Sequence, residues 1–268
     1  MIAMFDSGLG GLSIWRAVSK ALPDWPITYL ADQAYAPYGS RSRAEITRRT
    51  LQAGHFLEQQ GAKLLVVACN TATTVAVKAL RRELAIPIVG VEPAIKPAAA
   101  ASRNGRIGVL ATPATLASDR VRSLIEQHAD GVAVLSQPGT GWVERVEAGD
   151  LDSAHTRKVV SEALAPLLRE RVDHIVLGCT HYPFLEPLIR ELAGDGVTLD
   201  DPAHAIARRV RSLLADQAAP GRLPRYRFIT TSPDACDMAA HLPAMIGAAY
   251  PVESHPLEQT PPSQPHRL

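Results

Sequence analysis

Residues 63–71 read KLLVVACNT and residues 173–181 read DHIVLGCTH. Each is an apolar run of strand length, followed by a small residue, a cysteine, and a threonine within two positions. The spacing predicts strands over Leu64–Ala68 and Ile175–Gly178, buried on both faces because they lack polar alternation. Cys69 and Cys179 then stand at the carboxyl ends of two strands, where open parallel sheets bind their ligands.

The flanks of the two stretches also match. Downstream, IPIVGVEPAI (86–95) parallels GVTLDDPAHAI (196–206), so Glu92 follows Cys69 at nearly the interval at which Asp201 follows Cys179. Upstream, IAMFDSGLGG (2–11) parallels IGVLATPAT (107–115). Further strands are predicted at Ile2–Phe5, Ile27–Leu30, Ile88–Val91, Ile107–Leu110, Val132–Leu135 and Val197–Leu199. Between them lie predicted helices at Leu12–Ala21, Arg43–Gln60, Thr73–Leu84, Ala114–His128, His155–Arg171 and Glu186–Ala193. This alternation is the α/β class, with doubly wound parallel sheets. The two halves read as pseudo-symmetric, so that their cysteines face each other across a cleft. AAAASRNG (98–105) carries a linker signal, and the proline-rich, polar end of the chain from residue 254 reads as a disordered tail.

Composition removes several classes. The chain has 268 residues, a formal net charge of +1 and 5% aromatic residues. It offers neither the basic patch nor the stacking surface of a nucleic-acid binder. The longest apolar runs fall far short of the roughly 20 residues that span a bilayer. Three cysteines without a CxxC pair, behind an N-terminus unlike a secretion signal, predict reduced thiols in a cytoplasmic protein. GLGGLS (8–13) fails as a dinucleotide fingerprint because Ser13 stands where the third glycine belongs. Cys179 and His181 lack the further clustered ligands of a metal site.

Two thiols on opposite sides of one small substrate can invert a carbon centre. One thiolate takes the Cα proton, and the other thiol returns a proton to the opposite face. Asp6 is placed to tune Cys69, and His181 to serve Cys179. Turns such as FDSGLGG, PYGS, CNTATT and CTH could present backbone N–H groups to an acidic substrate. A Cys-His-Asp hydrolase is the rival reading, but it leaves the second cysteine unexplained. Cys236 has no such surroundings and is assigned to packing.

At this point the sequence resembles the glutamate racemases, cofactor-independent enzymes that supply D-glutamate for peptidoglycan. The matching segments are FDSGLGGLS (5–13), ADQAYAPYGSRS (31–42), VVACNTATT (66–74), GVEPAIKPA (90–98), GVLATPATLAS (108–118), VEAGDL (146–151), LGCTHYPFL (177–185) and DDPA (200–203). The resemblance implies Cys69 and Cys179 as the acid/base pair, the first acting on D-glutamate and the second on L-glutamate. It implies Asp6 and His181 as their helpers, with Glu147 in support. Substrate contacts are implied from Asp6, Ser7, Tyr38, Gly39, Asn70, Thr71, Thr180 and His181. It also implies no cofactor, no metal, a homodimer, and two α/β domains. The first would span 1–97 plus 205–253 and the second 98–204, leaving 254–268 as tail, with the active site between the domains. Aspartate or another small amino acid remains an alternative substrate, and a non-catalytic binding protein an alternative role. Where many family members carry Cys-Pro, this chain has Gly139-Thr140, so packing behind the second domain's site is expected to differ.

Overall fold

The computed structural model describes residues 1–219 and 226–257. Among the described residues, ten strands form two sheets. β1 (Ile2–Asp6), β2 (Ile27–Ala31), β3 (Leu64–Val67) and β4 (Ile88–Gly90) join β9 (Tyr226–Thr230) and β10 (Val252–Ser254) in a six-stranded sheet of order β10-β9-β2-β1-β3-β4. β5 (Arg106–Ala111), β6 (Ala133–Pro138), β7 (His174–Leu177) and β8 (Thr198–Asp200) form a four-stranded sheet of order β6-β5-β7-β8. Every strand pair is parallel. The order β2-β1-β3-β4 and the order β6-β5-β7-β8 are one topology used twice. The sequence matches fall on equivalent strands, β3 on β7, β4 on β8 and β1 on β5.

The helices are α1 (Leu12–Ala21), α2 (Arg43–Gln59), α3 (Asn70–Glu83), α4 (Ile95–Ala101), α5 (Pro113–Leu116), α6 (Asp119–His128), α7 (Trp142–Glu147), α8 (Ala154–Arg169), α9 (Glu186–Ala193), α10 (Ala203–Leu213) and α11 (Ala235–Ile246). Strand alternation distributes them to both faces. Ile2, Met4, Tyr29 and Val66 point toward the core shared with α1, α10 and α11, while Ala3, Phe5, Leu65 and Val67 point toward α2 and α3. In the second sheet, Leu110, Ile175 and Leu177 face α8 and α9, and Ile107, Val109 and Val176 face α4 and α6. The first of these cores runs without a break from one sheet to the other, through the buried Leu9, Trp142, Tyr182 and Leu185.

The structure departs from the sequence reading in specific places. The supposed linker 98–105 begins inside α4, where Ala98 and Ala99 are buried. The stretch 114–128 is two helices, because the Ser118 hydroxyl accepts from Val121 N–H and starts α6 afresh. The strand expected at Val132–Leu135 runs instead over Ala133–Pro138, pairing along the whole length of β5. The expected disordered tail is wrong for 254–257. Ser254 belongs to β10, the His255 ring stacks on Phe56 at 4.4 Å, and Leu257 is buried against Ile229 and Ile46. The remainder of that tail lies outside the described residues. No helix among the described residues is long and apolar enough to cross a membrane.

Candidate active site

Both sulfurs leave the sheets at strand carboxyl ends, but into different surroundings. Cys69 follows β3 by two residues and is the N-cap of α3, its Sγ accepting from Ala72 N–H at 3.4 Å. The N–H groups of Asn70 and Thr71 have no intrahelical acceptor at this helix end, and the end carries the positive pole of the peptide dipoles. Cys179 follows β7 across Gly178. A Cβ at Gly178 would sit 2.9 Å from the Leu110 carbonyl and from Ala111 Cβ, so glycine lets the chain turn tightly over β5. No α-helix starts at Cys179; a 3₁₀ turn over Tyr182–Leu185 precedes α9, and the cysteine's partner is His181.

The two thiols line one cavity of about 220 Å³. That is below the roughly 300–1,000 Å³ of pockets for drug-sized ligands and suits a molecule of amino-acid size. The first sheet's loops contribute Ser7, Pro37–Ser40 and Cys69–Thr71; the second sheet's contribute Thr112, Pro113, Gly139–Gly141, Val143, Glu144 and Cys179–His181. No lysine or arginine is among these residues. Of the residues singled out from the sequence, Ser7, Tyr38, Gly39, Asn70, Thr71, Thr180, His181 and both cysteines meet here. Asp6 and Glu147 stand one layer behind.

Asp6 is fully buried at the end of β1 and reaches Cys69 through Ser7. The Ser7 hydroxyl lies 3.5 Å from Cys69 Sγ and 3.5 Å from Asp6 Oδ1. Gly8 N–H donates to Asp6 Oδ1 at 2.8 Å, and the Thr180 hydroxyl donates to Oδ2 at 3.1 Å. Burial pushes this carboxyl up to about 6, with Glu147 adding to it and the His181 charge and the two hydrogen bonds opposing. Burial, and then the Asp6 charge, push the Cys69 thiol up to about 12 against the pull of Ala72 N–H and Ser7. Cys69 therefore rests protonated at neutral pH.

His181 stands between Cys179, 3.7 Å from its Nδ1, and Glu147, whose Oε1 is 2.5 Å from its Nε2. Burial works against its charge, yet Cys179 and Glu147 together hold its proton well above the usual imidazole range. Leu9 N–H donates to the same Glu147 oxygen at 2.7 Å, which ties the carboxylate to the opposite half.

The glycine-rich turn does different work from that expected of it. Its Gly8 and Leu9 N–H groups are taken by Asp6 and Glu147, and only Ser7 of the turn lines the cavity. A Cβ on Gly8 would lie 2.1 Å from Glu147 Oε1, and one on Gly10 2.3 Å from His181 Nδ1. The glycines let the first half approach the second half's catalytic candidates; they do not form a nest for the ligand. At position 139, a Cβ would lie 2.4 Å from Tyr182 Oη, so glycine there leaves room for a tyrosine that donates to the Gly139 carbonyl.

Sequence reasoning missed Thr112, Thr115 and Glu144, and took Gly139-Thr140 for packing where it lines the cavity. The Thr71, Thr112 and Thr115 hydroxyls form a closed cluster at 3.0–3.2 Å that joins the start of α3 to α5. The signal for Thr112 was available, since it follows β5 as Ser7 follows β1. Asn70 carries a further mark. Its Nδ2 donates to the Val91 carbonyl at 3.3 Å, and its buried Oδ1 has no hydrogen-bond partner among the described residues.

Residues 12–210 match the family described as Asp/Glu/Hydantoin racemase. The chain belongs to that family. Among its relatives, the glutamate racemase of Pseudomonas aeruginosa PAO1 is 47% identical over 234 residues, covering 86% of this chain and 88% of the relative. That of Ralstonia nicotianae is 46% identical over 250 residues, covering 92% and 90%. Among solved structures, a glutamate racemase isoform of Bacillus anthracis superposes with a TM-score of 0.86 at 32% identity, covering 96% of this chain and 98% of that one. Escherichia coli glutamate racemase in complex with L-glutamate and the activator UDP-MurNAc-Ala superposes at 0.85 with 32% identity, covering 94% and 97%. The racemase is thus an isomerase with the two-sheet architecture of these structures.

Proposed function

We propose that this racemase interconverts L- and D-glutamate by proton transfer between two cysteines, and that no cofactor takes part. The observation that carries the reading is the pair of thiols on one cavity of amino-acid size, each with its own partner. Cys69 has Asp6 through Ser7, and Cys179 has His181. Relatives named glutamate racemase at 46–47% identity support the substrate.

In the L-to-D direction, Cys179 acts as thiolate and takes the Cα proton. The C–H electron pair remains on the substrate as an enolate-like charge. Cys69, the thiol that rests protonated, returns a proton to the opposite face. The step ends with Cys69 as thiolate and Cys179 as thiol, the starting point for the D-to-L direction. His181 meets the charge on Cys179, and Glu147 keeps His181 cationic. Before the next L-to-D turnover the Cys69 thiolate regains a proton from solvent through Ser7 beside Asp6, and the Cys179 thiol gives one up to solvent. The Asn70 and Thr71 N–H groups at the start of α3 are the donors for the developing negative charge. The backbone of the Tyr38–Gly39 turn receives the side-chain carboxylate. Thr180 completes the contacts. In the cell the reading assigns the enzyme to D-glutamate supply for peptidoglycan in the cytoplasm, working as a homodimer.

The test is incubation of purified protein with L-glutamate in D₂O without added cofactor, following optical rotation and Cα deuterium together. Inversion with deuterium in the D product is the expected result. The absence of both inversion and exchange would sink the reading. Sedimentation velocity reads the assembly, and a single monomer boundary would remove the dimer.

A further inference from the structure

Tyr38 lines the cavity yet is almost wholly buried, and its hydroxyl is spent inside the protein. It donates to Asp32 Oδ2 at 2.6 Å. Its side chain therefore anchors the 3₁₀ turn Tyr38–Ser40, all three residues of which line the cavity. The anchor point is itself held on several sides. Arg49 from α2 donates to Asp32 Oδ2 through Nε at 2.9 Å and to Oδ1 through Nη2. The Thr231 hydroxyl, just past β9, donates to Oδ1 at 2.7 Å. The Arg49 guanidinium also lies 4.0 Å from the centre of the Tyr35 ring, and its Nη1 reaches the Leu257 carbonyl at 3.5 Å. Asp32 and Arg49 are both buried.

A buried ion pair is a poor device for stability, because desolvation offsets most of its attraction; its use is to fix geometry. Here the geometry fixed is one wall of the active site. We propose that Arg49 is a positioning residue. With Asp32 it sets the Tyr38–Ser40 turn against the substrate, and the C-terminal stretch through Leu257 holds the pair in place. The proposal rests on the glutamate reading above, with that turn receiving the substrate side chain. It brings a segment at the far end of the chain into control of substrate affinity without any contact with substrate.

The experiment measures steady-state racemisation in both directions for full-length wild type, Arg49→Met, Arg49→Lys, Tyr38→Phe and the Arg49→Met/Tyr38→Phe double variant. Wild-type turnover of glutamate is read first, and its absence would count against the substrate reading alone. KM rises about tenfold in Arg49→Met and in Tyr38→Phe, the size of one lost buried hydrogen bond, while kcat falls less. The double variant is no worse than the worse single one, because both cut the same chain of bonds. Arg49→Lys recovers part of the affinity, since an ammonium can pair with Asp32 but cannot reproduce the fork. Unchanged KM with a loss confined to kcat, or additive effects in the double variant, would overturn the proposal. Should Arg49→Met not fold, Tyr38→Phe decides alone, as it keeps the ring buried; an unchanged KM there overturns the proposal.

Discussion

Cys69 and Cys179 carry the same functional group in unequal settings, and the difference is chemical. Cys69 is a buried thiol held near 12 beside a carboxylate, a proton donor at rest. On the proposed mechanism, replacing either sulfur by the far less acidic serine hydroxyl removes one of the two transfer agents. Cys69→Ser and Cys179→Ser are each expected to lose about 10²–10⁴-fold in racemisation, as for the removal of a positioned acid or base. The glutamate enantiomers are mirror images, so every active variant keeps equal kcat/KM in the two directions; differences appear only in kcat and KM separately. Asp6 gives a prediction in stability. Its folded value of about 6 exceeds its ordinary 3.8, so the folded state holds that proton more tightly than the unfolded chain does. Stability therefore falls as pH rises between those values, and the cost is complete above them. Asp6→Asn removes the cost. It should be more stable than wild type above pH 6 by about 1–3 kcal/mol and lose that advantage near pH 4, read from urea unfolding across pH, while turnover falls. His181 runs the other way. Its raised value adds stability that is complete below its ordinary 6.5 and is lost as pH climbs through the folded value. Glu147→Gln should lower the pH at which the imidazole loses its proton, followed by NMR of the ring; an unmoved titration would remove Glu147 as its support.

Among the elements, those with a single buried purpose were legible. β3 and β7 are continuous apolar runs, and their matching cysteines located both halves of the site. α7 was not legible, being six residues after a left-handed Gly141 with no side-chain cap, yet it delivers both Glu144 and Glu147. β9 and β10 escaped because the first mixes polar and apolar residues and the second follows a proline. The glycine turn after β1 was seen but misread. Its composition fits an anion nest as well as a close contact, and only the neighbouring half, distant in sequence, separates the two. That neighbour yields a prediction. Gly10→Ala puts a methyl group 2.3 Å from His181 Nδ1 and 2.6 Å from Thr180 Oγ1. It should cost about 1–3 kcal/mol of stability by overpacking and reduce turnover along with it, measured by denaturation and assay. A variant with full activity and stability would mean the halves can part at this seam.

On the scale of the whole molecule, the duplicated topology was readable because equivalent strands kept equivalent chemistry at their ends. The pieces that break the symmetry were not. Arg49 and Leu257 carry no motif, and Asp32 lies in a matched segment that gave it no role; Leu257 reaches Arg49 only because the chain returns after the second sheet to add two strands beside β2. That return bears on how the protein is made. A ribosome releases the four strands of the second sheet in one unbroken run, residues 106–200, before it has released the last two strands of the first. Until Tyr226–Thr230 emerges, Ile27–Ala31 stands as a bare edge on an unfinished sheet, open to pairing with other chains. The half that begins the sequence is thus the last to be finished, and the nascent enzyme depends longest on whatever shields that edge.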